Sequence, residues 1–136
     1  MQVDLALLAD YAAVTQENKF VVAGIFDAIL SGEIPITHPH MALALQVRIV
    51  AGEDTAHRVK VSLVDADGND VIPPLEASVS GDRSVADKDA TFKLVLNLDN
   101  VNFQAEGSYS FHIFLDGRFE HRVPLQVRKA PQSREP

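Results

Sequence analysis

The side chains of this sequence that are able to do chemistry are few and scattered. His38-Pro39-His40 sets two imidazoles at an i, i+2 spacing stiffened by proline. Such a pair holds a divalent metal only when third and fourth ligands close the shell. Asp or Glu side chains from neighbouring loops would have to supply them, so His38 and His40 are metal candidates and not yet a site. Asp65-Ala66-Asp67-Gly68-Asn69-Asp70 concentrates carboxylates and an amide. A calcium loop wants its glycine sixth and a bidentate Glu twelfth. Here Gly68 is fourth from Asp65, and the twelfth position, Glu76, lies beyond Pro73-Pro74, so the spacing predicts a solvated hairpin turn. Asp82, Asp87 and Asp89 are interleaved with Arg83 and Lys88 in GDRSVADKDA. Carboxylates perform acid–base work when burial separates their pKa values, and this polar loop predicts solvation instead. His57 reads as a surface residue at a strand start, and His121, on an apolar face, as a hydrogen-bonded core histidine. Neither G-x-S-x-G, a glycine-rich phosphate loop nor a metalloprotease helix motif occurs.

The bulk properties narrow the classes further. With 136 residues the chain has room for one domain and a packed core without staples. Lys+Arg number 12 against 19 Asp+Glu, a net charge of −7, which argues against general nucleic-acid or anionic-membrane binding. Zero Cys excludes disulfides, thiolate zinc sites, iron–sulfur clusters and Cys nucleophiles. No cofactor is implied. MQVDLALLAD lacks the basic start of a signal peptide, and no apolar run approaches the roughly 20 residues that span a bilayer. The default expectation is a cytoplasmic protein that does not contact a membrane.

The elements that must position these residues are strands. Met41, Leu43, Leu45, Val47 and Ile49 alternate with polar or small residues, as do Val59, Val61 and Leu63, and Phe92, Leu94, Leu96 and Leu98. Tyr109, Phe111, Ile113 and Leu115 form a fourth apolar row, and Phe119, His121, Val123, Leu125 and Val127 a fifth. Period-two alternation between turn residues predicts half-buried antiparallel strands. Residues 19–29 read as a further strand, with Gly24 marking a bulge or a close backbone approach, and residues 75–80 as a short edge strand after Pro73-Pro74. Val3, Leu7, Tyr11 and Val14 fit a helical stripe, but Val3, Leu5, Leu7, Ala9 and Tyr11 fit a strand that pairs with residue 19 onward through TQEN. The strand is the expectation. The result is an all-β antiparallel two-sheet sandwich of seven to nine strands, immunoglobulin-like because Tyr109 opens a late strand as a tyrosine corner would, with a closed barrel as the competing arrangement. The domain spans 1–128, and 129–136 is a disordered polar tail.

Register decides what the Asp116-Gly117 turn presents. A two-residue loop would set His112 opposite His121 but mix apolar and charged faces. A three-residue loop over Leu115-Asp116-Gly117 keeps Ile113 opposite Phe119 and Phe111 opposite His121, so burial favours it. Likewise Leu63 aligns with Val71 around Ala66-Asp67-Gly68. Residues 30–40, LSGEIPITHPH, read as a loop whose Ile34, Pro35 and Ile36 either cover the sheet edge or form a contact patch. Phe114 and Val95, on nominally outer faces, pose the same choice.

LALLADYA (5–12), GIFD (24–27), THPH (37–40), HRVKVSLVDADGNDVIPPLE (57–76), LVLNLDNVNF (94–103) and EGSYSFHIFLDGRFEHRVPLQV (106–127) together resemble a family of small uncharacterised bacterial proteins carrying a domain of unknown function. The resemblance covers residues 3–127, is most specific at VDADGNDVIPPLE, and weakest at GDRSVADKD. It implies a single β-sandwich domain, supplies no catalytic residues and leaves function open. The functional expectation is a non-enzymatic binding or interaction module that meets a protein partner or a second copy, with no nucleic acid, through Ile34, Pro35 and Ile36. The alternative is a small-molecule or divalent-metal binder using His38, His40 and loop carboxylates.

Overall fold

Alternating side chains bury one face of each strand, and strand by strand that burial builds two sheets around one core. The computed structural model describes residues 1–53, 56–80 and 89–131. Among them are nine strands and no helix: β1 (Gln2–Val14), β2 (Phe20–Ile25), β3 (Ala28–Ser31), β4 (Ile36–Ile49), β5 (Ala56–Val64), β6 (Leu75–Ser80), β7 (Ala90–Phe103), β8 (Gly107–Leu115) and β9 (Arg118–Lys129). One sheet has the order β2-β1-β4-β7 and the other β3-β9-β8-β5-β6. The expected purely antiparallel, immunoglobulin-like sandwich is corrected here. β3 runs parallel to β9, pairing Ala28 with Gln126 and Ser31 with Lys129, so the five-stranded sheet is mixed. The expected strand over 19–29 is in fact divided at Phe26-Asp27, and its second half crosses to the opposite sheet. Tyr109 nevertheless makes the corner contact, its hydroxyl donating to the Ala105 carbonyl at 2.6 Å.

Met41, Leu43, Leu45 and Val47 from one sheet meet Val61, Leu63, Phe111, Ile113 and Leu125 from the other, all essentially without solvent exposure. A second, smaller cluster lies on the far side of the four-stranded sheet, where Ala12 packs on Ala42 and Ala44 beside Phe20 and Val22. β2 and β7 stand at opposite ends of that sheet. Even so, the Lys93 ammonium of β7 lies 6.0 Å above the Phe20 ring of β2. The β1–β2 ribbon therefore curls back over the outer face of its own sheet, giving that half of the molecule the shape of a partial barrel. Gly24 makes the curl fit: its φ is +72°, and a Cβ there would lie 2.4 Å from Asp10 Oδ2.

Two local devices re-aim side chains. In β4 and β7, Ile36 and Phe103 pair and pack toward the core, and so do Met41 and Leu98, although the spacing between them is odd. The inward face changes parity at Pro39 and Asn100, where Asn100 has φ +54°. The second device is the β8–β9 hairpin. Asp116 and Gly117 both have positive φ, as a two-residue type I′ turn requires, and Leu115 pairs directly with Arg118. The expected three-residue loop does not form. A bulge between Ile113 and Phe114 absorbs the offset instead, so Phe111 faces Val123 and the apolar faces stay together. Burial did decide the register, but the extra residue went into the strand.

Asp116 ties this turn to β5. Its carboxylate accepts from the Arg58 amide at 2.9 Å and contacts His57 Nδ1 at 2.6 Å, so His57 is buried rather than at the surface as expected. The Arg58 amide, then His57, holds the Asp116 carboxyl below its ordinary value. A depressed carboxyl stabilises the fold above its unfolded pKa, and that contribution disappears as pH falls through the folded value. Asp116→Asn keeps a residue that tolerates positive φ and is expected to cost about 1–2 kcal/mol at neutral pH. Thermal unfolding should show that deficit shrinking below about pH 4.

Candidate functional site

The outer face of the five-stranded sheet carries an unusual set of side chains for an acidic protein. On β5 it presents Arg58, Lys60, Ser62 and Val64, and on β8 Ser108, Ser110, His112 and Phe114; β9 adds Arg122, Pro124, Gln126 and Arg128. The strand ladder places Lys60 beside Phe114 and Ser62 beside His112, with Arg122 on the other flank of His112. The bulge supplies the last member. Because Phe119 pairs with Phe114, it leaves the core side and stands in solvent, 53 % exposed. Phe119 meets His112 edge-to-face at 5.2 Å between centroids and Phe114 at 5.8 Å, while the Lys60 ammonium sits 5.5 Å from the Phe114 ring. Ring edges and a cation over a face are the favourable geometries for such groups.

Beside this aromatic group an open depression of about 360 Å³ is bounded by Asp65, Gly68, Ser110, His112, Arg122 and Gln126, so it holds one acidic and one basic side chain. Ser110 Oγ lies 2.9 Å from His112 Nε2. A serine nucleophile needs its histidine oriented by a third group, and an oxyanion hole as well. Among the described residues no carboxylate contacts His112, and Ser110 is buried, so the pair acts as an anchor that fixes the imidazole. Charge is the more telling quantity. Lys19, Arg48 and Arg118 pair with carboxylates. Among the described residues none lies within ion-pair distance of Arg58, Lys60, Arg122 or Arg128.

The residues singled out in the sequence are dispersed over the fold. His38 and His40 fall inside β4 and not in a loop, and the parity change at Pro39 separates them. His40 Nδ1 contacts Asp99 at 2.6 Å on the outer side, whereas His38 turns inward, its ring 6.0 Å from Phe26 and its Nε2 buried without a hydrogen-bond partner. Among the described residues no three potential metal ligands come together. Burial lowers the His38 pKa, partly offset by the Asp10 carboxylate. Its fold therefore favours neutral imidazole, and stability falls as pH drops through the ordinary histidine value. His38→Phe removes the orphaned nitrogen and is expected to raise stability by about 1 kcal/mol. Thermal melts should show a wider gain at pH 5.5 than at pH 8.

Asp65 accepts from the Asp67 and Asn69 amides at 2.9 Å, a turn stabilised by its own backbone, and Val71 donates to Leu63 at 2.8 Å as the register predicted. Asp89 accepts from Ala51, while Asp82, Arg83, Asp87 and Lys88 lie outside the described residues. Ile34 and Ile36 are half-buried against the core and Pro35 is exposed; the connection between β3 and β4 is only residues 32–35. His121 is exposed, not a core histidine, because the bulge ends the buried row at Val123. β9 runs to Lys129, and residues 132–136 of the expected tail lie outside the described residues. Sequence reading left Phe114 undecided and put Phe119 in the core row. The Asp-Gly pair, which favours a two-residue turn, was the one signal that could have placed Phe119 correctly. Elsewhere, the solvent side of the β1–β2 ribbon exposes Tyr11, Val21 and Ile25.

The model of a family of unknown function, DUF6941, matches residues 4–128, and the chain belongs to that family. No curated protein matches it. Among solved structures, the fold is similar to part of the Pseudomonas fluorescens alkylpurine DNA glycosylase AlkC bound to DNA containing an abasic site analog, at a TM-score of 0.51 and 12 % identity. The likeness covers 90 % of this chain but 30 % of that one, so it shows a shared domain fold. It also corrects the exclusion of nucleic acid, since the same fold occurs within a chain solved on DNA. Net charge over the whole chain was the wrong measure; the charge of each face is what a partner meets. Among the described residues no helix is long and apolar enough to cross a membrane.

Proposed function

We propose that the domain is a non-catalytic binding module and that the outer face of the five-stranded sheet is its contact surface. The observation that carries this reading is a local excess of positive charge: Arg58, Lys60, Arg122 and Arg128 outnumber Glu76, which pairs opposite Lys60 on β6, and Asp65 at the depression, on a face that exposes Phe119 and in a chain whose net charge is −7. An excess of cations on one face, none of them in an ion pair among the described residues and with apolar rings between them, suits an anionic ligand. Ile34 and Ile36 turn toward the core, which moves the contact surface away from that corner.

Heparin chromatography at low ionic strength tests it. The wild-type protein is expected to be retained despite its acidity, and a Lys60→Glu, Arg122→Glu variant to pass through. Wild-type protein in the flow-through, or equal retention of both, would remove the basis for this reading.

A further inference from the structure

We infer that the anionic occupant of this face is single-stranded nucleic acid, an inference that rests on the binding surface proposed above. Charge alone does not separate a polynucleotide from an acidic polypeptide. The rings do. Phe119 stands 53 % exposed at the β9 end of the cross-strand row Lys60–Phe114–Phe119, on the same strand as Arg122, with His112 and Phe114 supporting it edge-on. An exposed ring held rigid by its neighbours is a stacking surface for a planar base, for which glutamate and aspartate have no counterpart. Lys60 and Arg122 sit on strands either side of β8. Two strand spacings and a two-residue offset put their backbones about 12 Å apart, close enough for one sugar–phosphate chain to meet both side chains. Stacking also selects the single strand, because unpaired bases expose their faces to a ring and paired, stacked bases do not. The acidic remainder of the molecule is screened beyond about 10 Å at 0.1 M salt, so it weakens such binding without preventing it.

The full chain titrated into labelled single-stranded oligothymidylate, followed by fluorescence anisotropy, reads the inference directly, with the duplex form and polyglutamate as parallel probes. The expected result is preferential binding of the single strand, with log K falling against log salt at a slope of about −2 to −3 for three or four phosphate contacts. Phe119→Ala should lose about tenfold for the oligonucleotide, while Phe119→Trp retains binding. Because Phe119 is 53 % exposed and loses only its contacts with His112 and Phe114, Phe119→Ala is expected to lower the melting temperature by only a few degrees and Phe119→Trp hardly at all, so both stay folded in the assay and lost stacking is separated from lost fold. Binding of polyglutamate in preference to the oligonucleotide, or an oligonucleotide affinity that ignores Phe119→Ala, would overturn the nucleic-acid assignment while leaving the cationic contact face intact. Heparin retention without oligonucleotide binding would do the same. Failure of heparin retention would instead overturn the contact face itself.

Discussion

Arg122→Glu is expected to weaken oligonucleotide binding about 10- to 100-fold at 100 mM salt, because it removes one phosphate contact and sets a repulsive charge in its place. Arg122 is exposed, pairs across the ladder with His112 and borders the depression beside Ser110. No carboxylate depends on it for neutralisation among the described residues, so stability should change by no more than about 0.5 kcal/mol. The matched control is Lys19→Glu. Lys19 lies at the β1–β2 turn and pairs with Glu17, far from this face, yet its reversal alters net charge by the same amount. If Arg122→Glu and Lys19→Glu weakened binding equally, global charge and not this surface would be responsible. Arg122→Gln should fall between wild type and Arg122→Glu and reduce the salt slope by about one contact, roughly 0.7.

Gly24→Ala carries the largest expected effect on stability, about 2–3 kcal/mol. One part is backbone strain, since φ is +72° and an L side chain there costs about 1–2 kcal/mol. The other part is contact: the new Cβ would stand 2.4 Å from Asp10 Oδ2 and 3.1 Å from Asp10 Cβ. Rotating the carboxylate relieves the first distance but not the second. For a domain of this length the loss corresponds to a melting temperature lower by roughly 6–15 °C. Combining it with Asp10→Gly should recover the contact part and leave the strain, a non-additivity that a double-mutant cycle measures. A cost below about 0.5 kcal/mol for Gly24→Ala would mean that the ribbon does not approach as closely as described.

Much of the architecture was legible because half-buried strands write their burial into every second residue. Met41 to Ile49, Val59 to Leu63 and Tyr109 to Leu115 are inward rows as the alternation implied, and Leu75–Ser80 is an edge strand behind its prolines. What escaped were the places where a strand changes partners or faces without changing composition. Nothing in KFVVAGIFDAI separates one strand from two, since Phe26-Asp27 is neither Pro nor Gly, and the crossing to β9 is a tertiary event. The parity change at Pro39 needed Asn100, far away in sequence, to adopt positive φ. The candidate site was hidden for a related reason. Phe119 looked like a core residue because its alternation continued that of Val123, and only the bulge turned it outward.

The parallel pairing of β3 with β9 has a consequence for biosynthesis. The ribosome has translated every strand of the four-stranded sheet by Phe103, so β1, β2, β4 and β7 need no later residue to pair with one another. β3 belongs to the other sheet and must wait for residues 126–129 before its backbone finds a partner. Until then Ala28–Ser31, including the solvent-exposed Leu30, is an open edge on a nascent chain. Pairing with β9 covers one side of β3 and leaves it as the outer strand of its sheet, so completion of the five-stranded sheet waits on a contact about a hundred residues apart in sequence, the kind of non-local pairing that forms slowly.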